Sequence, residues 1–213
     1  MLQNWECSAQ KLGLDWVVIA MDTKLYSHLG PERSILVEGE QVEGSSRFGT
    51  GDFAVIACNK IRTITSILKH TKLDLVFTDC DNVFKSDPFL PSLTLGSLMR
   101  SNAYEYVYVR KSKPPGSIWS EYHTEPDKAN TGFYYVAGSR KSAGVQHAFD
   151  AGVNFCNIHK RQDDQESFWD ALVQLRKGQS KDAAAFSASD IAGPIMRPCA
   201  RATMSQLYLI TST

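Results

Sequence analysis

The stretch Leu73-Asp74-Leu75-Val76-Phe77-Thr78 runs directly into Asp79-Cys80-Asp81. Leu75, Val76 and Phe77 form its apolar centre, and a short apolar run of this kind reads as a buried strand. Open α/β sheets bind ligands beyond the carboxyl ends of their strands, which is where Asp79 and Asp81 lie. Residues two apart on a strand point the same way, so the two carboxylates share a direction if strand geometry persists. Two such neighbours repel each other and are best tolerated with a cation between them. Hard oxygen ligands suit Mg²⁺ or Mn²⁺. A divalent ion held there can in turn hold a diphosphate and neutralise its charge as it leaves. Asp-x-Asp by itself is common, and in loops it usually caps a helix or a turn. Its place after a buried strand singles it out here.

Working outward toward the N-terminus, Phe53 to His70 carries Ile56, Ile61, Ile64, Ile67 and Leu68 at helical spacing. Lys60, Arg62 and Lys69 form its polar side. Trp16 to Met21 is almost wholly apolar and reads as a strand buried on both faces, the pattern of a parallel sheet. Asp22-Thr23 then starts a helix with Leu25, Tyr26 and Leu29. Ser34 to Val37 is a second strand, and Glu38 to Gly51 is Gly- and Ser-rich loop.

Toward the C-terminus, Pro91 to Ser101 reads as helix and Tyr104 to Arg110 as strand. Lys111 to Lys128 is a Pro-containing loop. Phe133 to Val136 is a strand, and Ser142 to Asn154 and Asp164 to Arg176 are helices. Leu207 to Ile210 is a last strand. Strands alternating with helices predict an α/β sandwich with a largely parallel central sheet, in a single domain over residues 1–213. That domain could still be one cut from a longer protein.

The bulk numbers fit such a domain: 213 residues, 43% hydrophobic and 22% charged. Lys plus Arg equals Asp plus Glu at 23 each, so the basic excess of a nucleic-acid-coating protein is missing. Cys7, Cys58, Cys80, Cys156 and Cys199 are scattered, with no CxxC pair. They read as mostly reduced thiols in a reducing compartment rather than a zinc knuckle or a disulfide framework. Met1 to Leu14 has no long apolar run, and no stretch approaches the ~20 apolar residues of a membrane span. A soluble, cytoplasmic chain is the expectation.

The segment Phe77 to Pro88, FTDCDNVFKSDP, resembles the DxD segment of the nucleotide-diphospho-sugar transferases: a strand, D-x-D, an apolar pair, then Asp-Pro. Asn130-Thr131-Gly132-Phe133 resembles that family's "NTGF" strand entry, and Asp164-Gln165 its "DQ" helix opening. The three occur in order and cover most of the chain. Together they are similar to retaining transferases of the GT-A type, related to plant and algal wall enzymes and to glycogenin-type galactosyltransferases. The compact size is similar to that of glycosyltransferase domains of large algal viruses that decorate capsid protein.

The resemblance implies a Rossmann-like GT-A fold, a UDP-sugar donor, a glycan or glycoprotein acceptor, and Mn²⁺ or Mg²⁺ as cofactor. Asp79 and Asp81 would hold the metal, with Cys80 between them in the nucleotide-sugar site. Ala20, Met21 and Asp22 match the uridine-binding strand end. Lys60 or Arg62 would meet the phosphates; the two point about 200° apart on one helix, so only one of them should, and Lys60 is preferred. Asn130 and Gly132 would line the sugar pocket, and Asp164 and Gln165 would sit near the anomeric carbon as the catalytic pair.

Each residue also has a plainer reading. Asn130 to Gly132 can be a turn, Asp164 or Asp22 a helix cap, and Lys60 with Arg62 a solvated helix face. The chain departs from the family too. Many relatives add a metal-binding histidine near the C-terminus, but the last histidine here is His159, leaving Asp190 as a substitute candidate. Leu75 to Val83 also fits the first motif of haloacid-dehalogenase-type phosphatases, with Asp79 as nucleophile. That motif normally opens its domain, whereas here strands and a helix precede it. A third reading is a non-catalytic module that binds the nucleotide sugar.

Overall fold

The computed structural model describes residues 2–37, 51–110, 129–139, 143–159, 163–176, 197–198 and 210–211. The order of elements is α1 (Leu2–Lys11), β1 (Val18–Ala20), α2 (Thr23–Leu29), β2 (Ser34–Leu36), α3 (Gly51–His70), β3 (Asp74–Thr78), α4 (Thr94–Arg100), β4 (Tyr106–Arg110), β5 (Ala129–Ala137), α5 (Ala143–Ile158), α6 (Asp164–Arg176), β6 (Arg197–Pro198) and β7 (Ile210–Thr211). The architecture is mixed α/β. The expected loops at 38–50 and 111–128, the candidate ligand Asp190, and residues 207–209 of the last expected strand lie outside the described residues.

Strand alternation divides the core in two. Leu75 and Phe77 of β3, Tyr106 and Tyr108 of β4, and Tyr134 and Val136 of β5 face a cluster built with α3, α5 and α6. Val76, Val107, Tyr135 and Ala137 face the opposite way, against Trp5 and Ala9 of α1 and Leu95 of α4. Val17 and Ile19 pack on the first cluster and Val18 on the second, so β1 also lies between the two layers. Helices therefore cover both faces, giving α/β/α layering.

The expected parallel order of the central sheet is corrected. β1 and β2 pair in parallel as a separate two-stranded sheet. The larger sheet has the order β6-β4-β5-β3-β7, and β5 runs antiparallel to both neighbours. β7 is antiparallel to β3, and among the described residues of this sheet only β6 pairs in parallel, with β4. Burial on both faces produces an apolar run in any strand covered by two helix layers, whichever way its neighbours run. A buried apolar run thus reports a strand's covering, not its direction; β1, whose run reads as the pattern of a parallel sheet, does pair in parallel with β2.

The reading of scattered thiols is corrected as well. Cys58 of α3 and Cys156 of α5 form a disulfide across 98 residues of sequence. The two helices pack face to face, a meeting that linear spacing does not reveal. Cys7 and Cys80 are free and exposed. With one pair bonded, the cysteines no longer argue for a reducing compartment. No helix among the described residues is long and apolar enough to cross a membrane.

Candidate functional site

β3 delivers the acidic turn. The chain leaves the strand at Thr78, and the Asp79 amide still donates to the Gly132 carbonyl of β5 at 3.0 Å. Beyond it the Asn82 side-chain amide donates to Thr78 Oγ1 at 2.8 Å, folding the chain back on itself. Cys80 and Asp81 are exposed on this turn, and Asp79 is half-exposed.

β5 lies alongside with Thr78 opposite Phe133. Asn130 Oδ1 accepts from the Gly132 amide at 2.7 Å. A Cβ built on Gly132 would lie 2.6 Å from Asp79 Oδ2 and 2.9 Å from Asn130 Oδ1. Only a glycine lets the strand pass this close to the carboxylate, since real Cβ contacts do not reach such distances.

Lys60 reaches the same point from α3. Its Nζ stands 3.1 Å from Asp79 Oδ1 and 2.8 Å from Asp164 Oδ2, and 5.3 Å from the centre of the Phe77 ring. Burial by itself would lower the lysine's pKa, but the charges of Asp164 and Asp79 outweigh it and raise the value above the ordinary one. Asp79 is also raised, first by its own desolvation and further by Asp164 and Asp81, with Lys60 opposing. Lys60 thus stays charged, while Asp79 carries a carboxylate short of compensation.

Asp164 is the first residue of α6 and only 5% exposed. Its neighbour caps the helix: the Glu166 amide donates to Asp163 Oδ1 at 2.8 Å. Asp163 and Asp164 therefore divide two tasks, helix cap and cleft carboxylate. The D-x-x-E spacing of Asp163 and Glu166 was the available signal for the cap.

These groups border a cleft of about 670 Å³. Its polar end holds Lys60, Thr78, Asp79, Cys80, Asp81 and Asp164. Met21, Leu25, Phe53 and Ile56 supply an apolar wall, with Leu2 and Trp5 of α1. Neither α1 nor Phe53 was singled out in the sequence, because apolar residues at helical spacing look the same on a core face and on a cleft wall.

The remaining expected residues, Ala20, Asp22, Arg62, Asn130, Gly132 and Gln165, are not among those lining the cleft. Ala20 is fully buried at the end of β1, just before Met21. Asp22 caps α2, its Oδ1 accepting from the Leu25 amide at 2.8 Å. Arg62 turns away to Asn59 and Asn157. Gln165 is half-buried and is not one of the residues lining the cleft.

No group of three or more His, Cys, Asp or Glu able to hold a metal occurs among the described residues. Two carboxylates on an exposed turn nevertheless suit a small divalent ion, which is commonly bound through one or two carboxylates plus substrate phosphates.

A model of the nucleotide-diphospho-sugar transferase family matches residues 14–183. No curated protein and no solved structure matches the chain. The matched region runs from the residues before β1 past the end of α6, and so takes in Met21, Lys60, the acidic turn, Gly132 and Asp164 together. A mixed α/β chain with this cleft fits a GT-A type fold, and over well more than half of its length the chain belongs to the nucleotide-diphospho-sugar transferase family.

Proposed function

We propose that the chain moves a sugar from a UDP-sugar to a glycan or glycoprotein acceptor, with Mn²⁺ or Mg²⁺ and with retention of anomeric configuration. The observation that carries this is Lys60, joined to both Asp79 and Asp164 in one cleft. Three charges from α3, the end of β3 and the start of α6 converge where a diphosphate and its sugar would meet.

Asp79 and Asp81 would hold the divalent ion, which when bound would neutralise charge gathering on the leaving diphosphate. Gly132 leaves Asp79 room, and Asn130 fixes the Gly132 amide. Met21 and the apolar wall would receive the uridine. Lys60 supplies a fixed positive charge beside the phosphates, and Asp164 an anion on the sugar side. Gln165 cannot act as a base, so it would support the positive anomeric centre by its carbonyl dipole. The acceptor proton would then pass to the departing diphosphate.

The test is turnover of a panel of UDP-sugars, with Mn²⁺ and with EDTA, on wild type, Asp79→Ala and Lys60→Met. UDP release that needs Mn²⁺ and is lost in both variants is expected. Equal UDP binding in EDTA would overturn the metal assignment. Binding without any turnover, even to free sugar, would favour the non-catalytic module.

A further inference from the structure

We propose that α1 is a positioning element of this site, with Ser8 fixing the far end of the turn that carries Asp79 and Asp81. The inference deepens the transferase reading and rests on it for the metal. The family match begins at residue 14 and leaves α1 outside. Yet α1 packs into the protein: Trp5, Ser8 and Ala9 form its buried face, at the i, i+3, i+4 spacing of one helix side.

The acidic turn is held at both ends. At its start, the Asp79 amide is bonded to Gly132 and Asn82 to Thr78. At its end, the Phe84 amide donates to Ser8 Oγ at 3.2 Å, in a buried bond. Ser8 Oγ in turn donates to the Trp5 carbonyl at 2.8 Å, which orients the hydroxyl's lone pairs toward Phe84. Phe84 packs in the same cluster as Trp5. Between these ends Cys80 and Asp81 are exposed, so packing does not fix them. The two anchors bracket them.

α1 also reaches the cleft lining and the residues before β1. The Trp5 ring meets Trp16 edge-on at 4.9 Å, just ahead of β1, and Trp5 and Leu2 line the cleft. One helix thus ties the acidic turn to the strand that leads into Met21. Loosening the clamp frees Asp81 to move, and metal binding pays in ordering entropy before any chemistry is affected.

Ser8→Ala and Ser8→Thr test this. Alanine is the stronger helix former, so the fold is kept. The first readout is hydrogen exchange over residues 79–90, and the second is the Mn²⁺ concentration giving half-maximal UDP-sugar turnover. Ser8→Ala is expected to speed exchange at the Phe84 amide about tenfold. It should raise the Mn²⁺ requirement about fivefold while kcat changes less than about twofold. Ser8→Thr keeps the hydroxyl and should restore both. Unchanged exchange and Mn²⁺ requirement in Ser8→Ala, with only a lowered Tm, would overturn the proposal and leave α1 as packing alone. If wild type turns over without any divalent ion, the metal reading fails, and the exchange result still decides the clamp.

Discussion

Gly132 packs so closely on Asp79 that a Cβ added to it would lie 2.6 Å from the carboxylate Oδ2. The obstacle is contact, not backbone strain, because Gly132 is not among the residues with positive φ. Gly132→Ala must therefore push the Asp79 carboxylate aside or open β5 from β3. Since Asp79 is half-exposed, the carboxylate is the cheaper of the two to move. Turnover should fall more than about tenfold while stability falls by about 1–2 kcal/mol, within the usual overpacking cost. Kinetics beside a denaturant melt will separate the two. A large stability loss with normal turnover in the remaining folded protein would mean that the strand moves instead.

The Tyr106 hydroxyl is buried with no hydrogen-bond partner among the described residues. Burial raises its pKa well above the ordinary tyrosine value, with Tyr108 and Asp164 adding to the effect. Tyr134 is raised in the same way, first by burial. A pKa raised on folding contributes stability that is whole below the unfolded value of about 10 and is lost as pH climbs toward the folded one. Alkaline unfolding should therefore coincide with the appearance of tyrosinate absorbance from these two residues. Tyr106→Phe removes an unbonded buried hydroxyl, so stability at neutral pH should hold or rise by up to about 1 kcal/mol. The alkaline midpoint should move upward. A loss of stability in Tyr106→Phe would reveal a partner for the hydroxyl.

The sequence made some of this legible for definite reasons. Asp164 to Arg176 was readable as a helix because Phe168 and Leu172 recur on one buried face. β3 was readable because Leu75, Val76 and Phe77 are all buried. The direction of β5 was not, since covering by α3, α5 and α6 on one face and α1 and α4 on the other makes an antiparallel strand as apolar as a parallel one. The meeting of Lys60 with Asp164 spans more than a hundred residues and leaves no local mark. The plainer reading of Asp164 as a helix cap is off by one residue, since Asp163 caps the helix and Asp164 faces Lys60.

Cys58 and Cys156 close a loop of 98 residues. In the chain-entropy account a cross-link of that span is worth about 4–5 kcal/mol. Treatment with dithiothreitol under mild denaturant should therefore lower the urea midpoint markedly, and Cys58→Ala with Cys156→Ala should do the same without reductant. Because α3 also carries Lys60, the remaining activity should become more sensitive to urea. An identical midpoint with and without reductant would mean that the pair is not bonded in solution.

Asp164 and Gln165 adjoin in sequence but differ in setting, and their variants should differ accordingly. Asp164 is buried, lines the cleft and is paired with Lys60 at 2.8 Å. Asp164→Asn keeps the shape and removes the charge, which leaves Lys60 to Asp79 alone. If Asp164 provides the anion near the anomeric centre, kcat should fall by about a hundredfold or more, with a much smaller change in donor KM. Gln165 is half-buried and outside the cleft lining, so its proposed role requires its carbonyl to turn inward when the donor binds. Gln165→Ala should then lower kcat by about tenfold and leave donor affinity nearly unchanged, as expected of a contact made mainly in the transition state. Proton NMR of the product from a UDP-sugar of defined configuration supplies the stereochemical half of the test. Retention together with a kcat loss in Gln165→Ala supports the dipole mechanism. Inversion would remove Gln165 from the reaction and require a true base, and Asp164 would be the first carboxylate to examine, because Asp163 is already committed to capping α6.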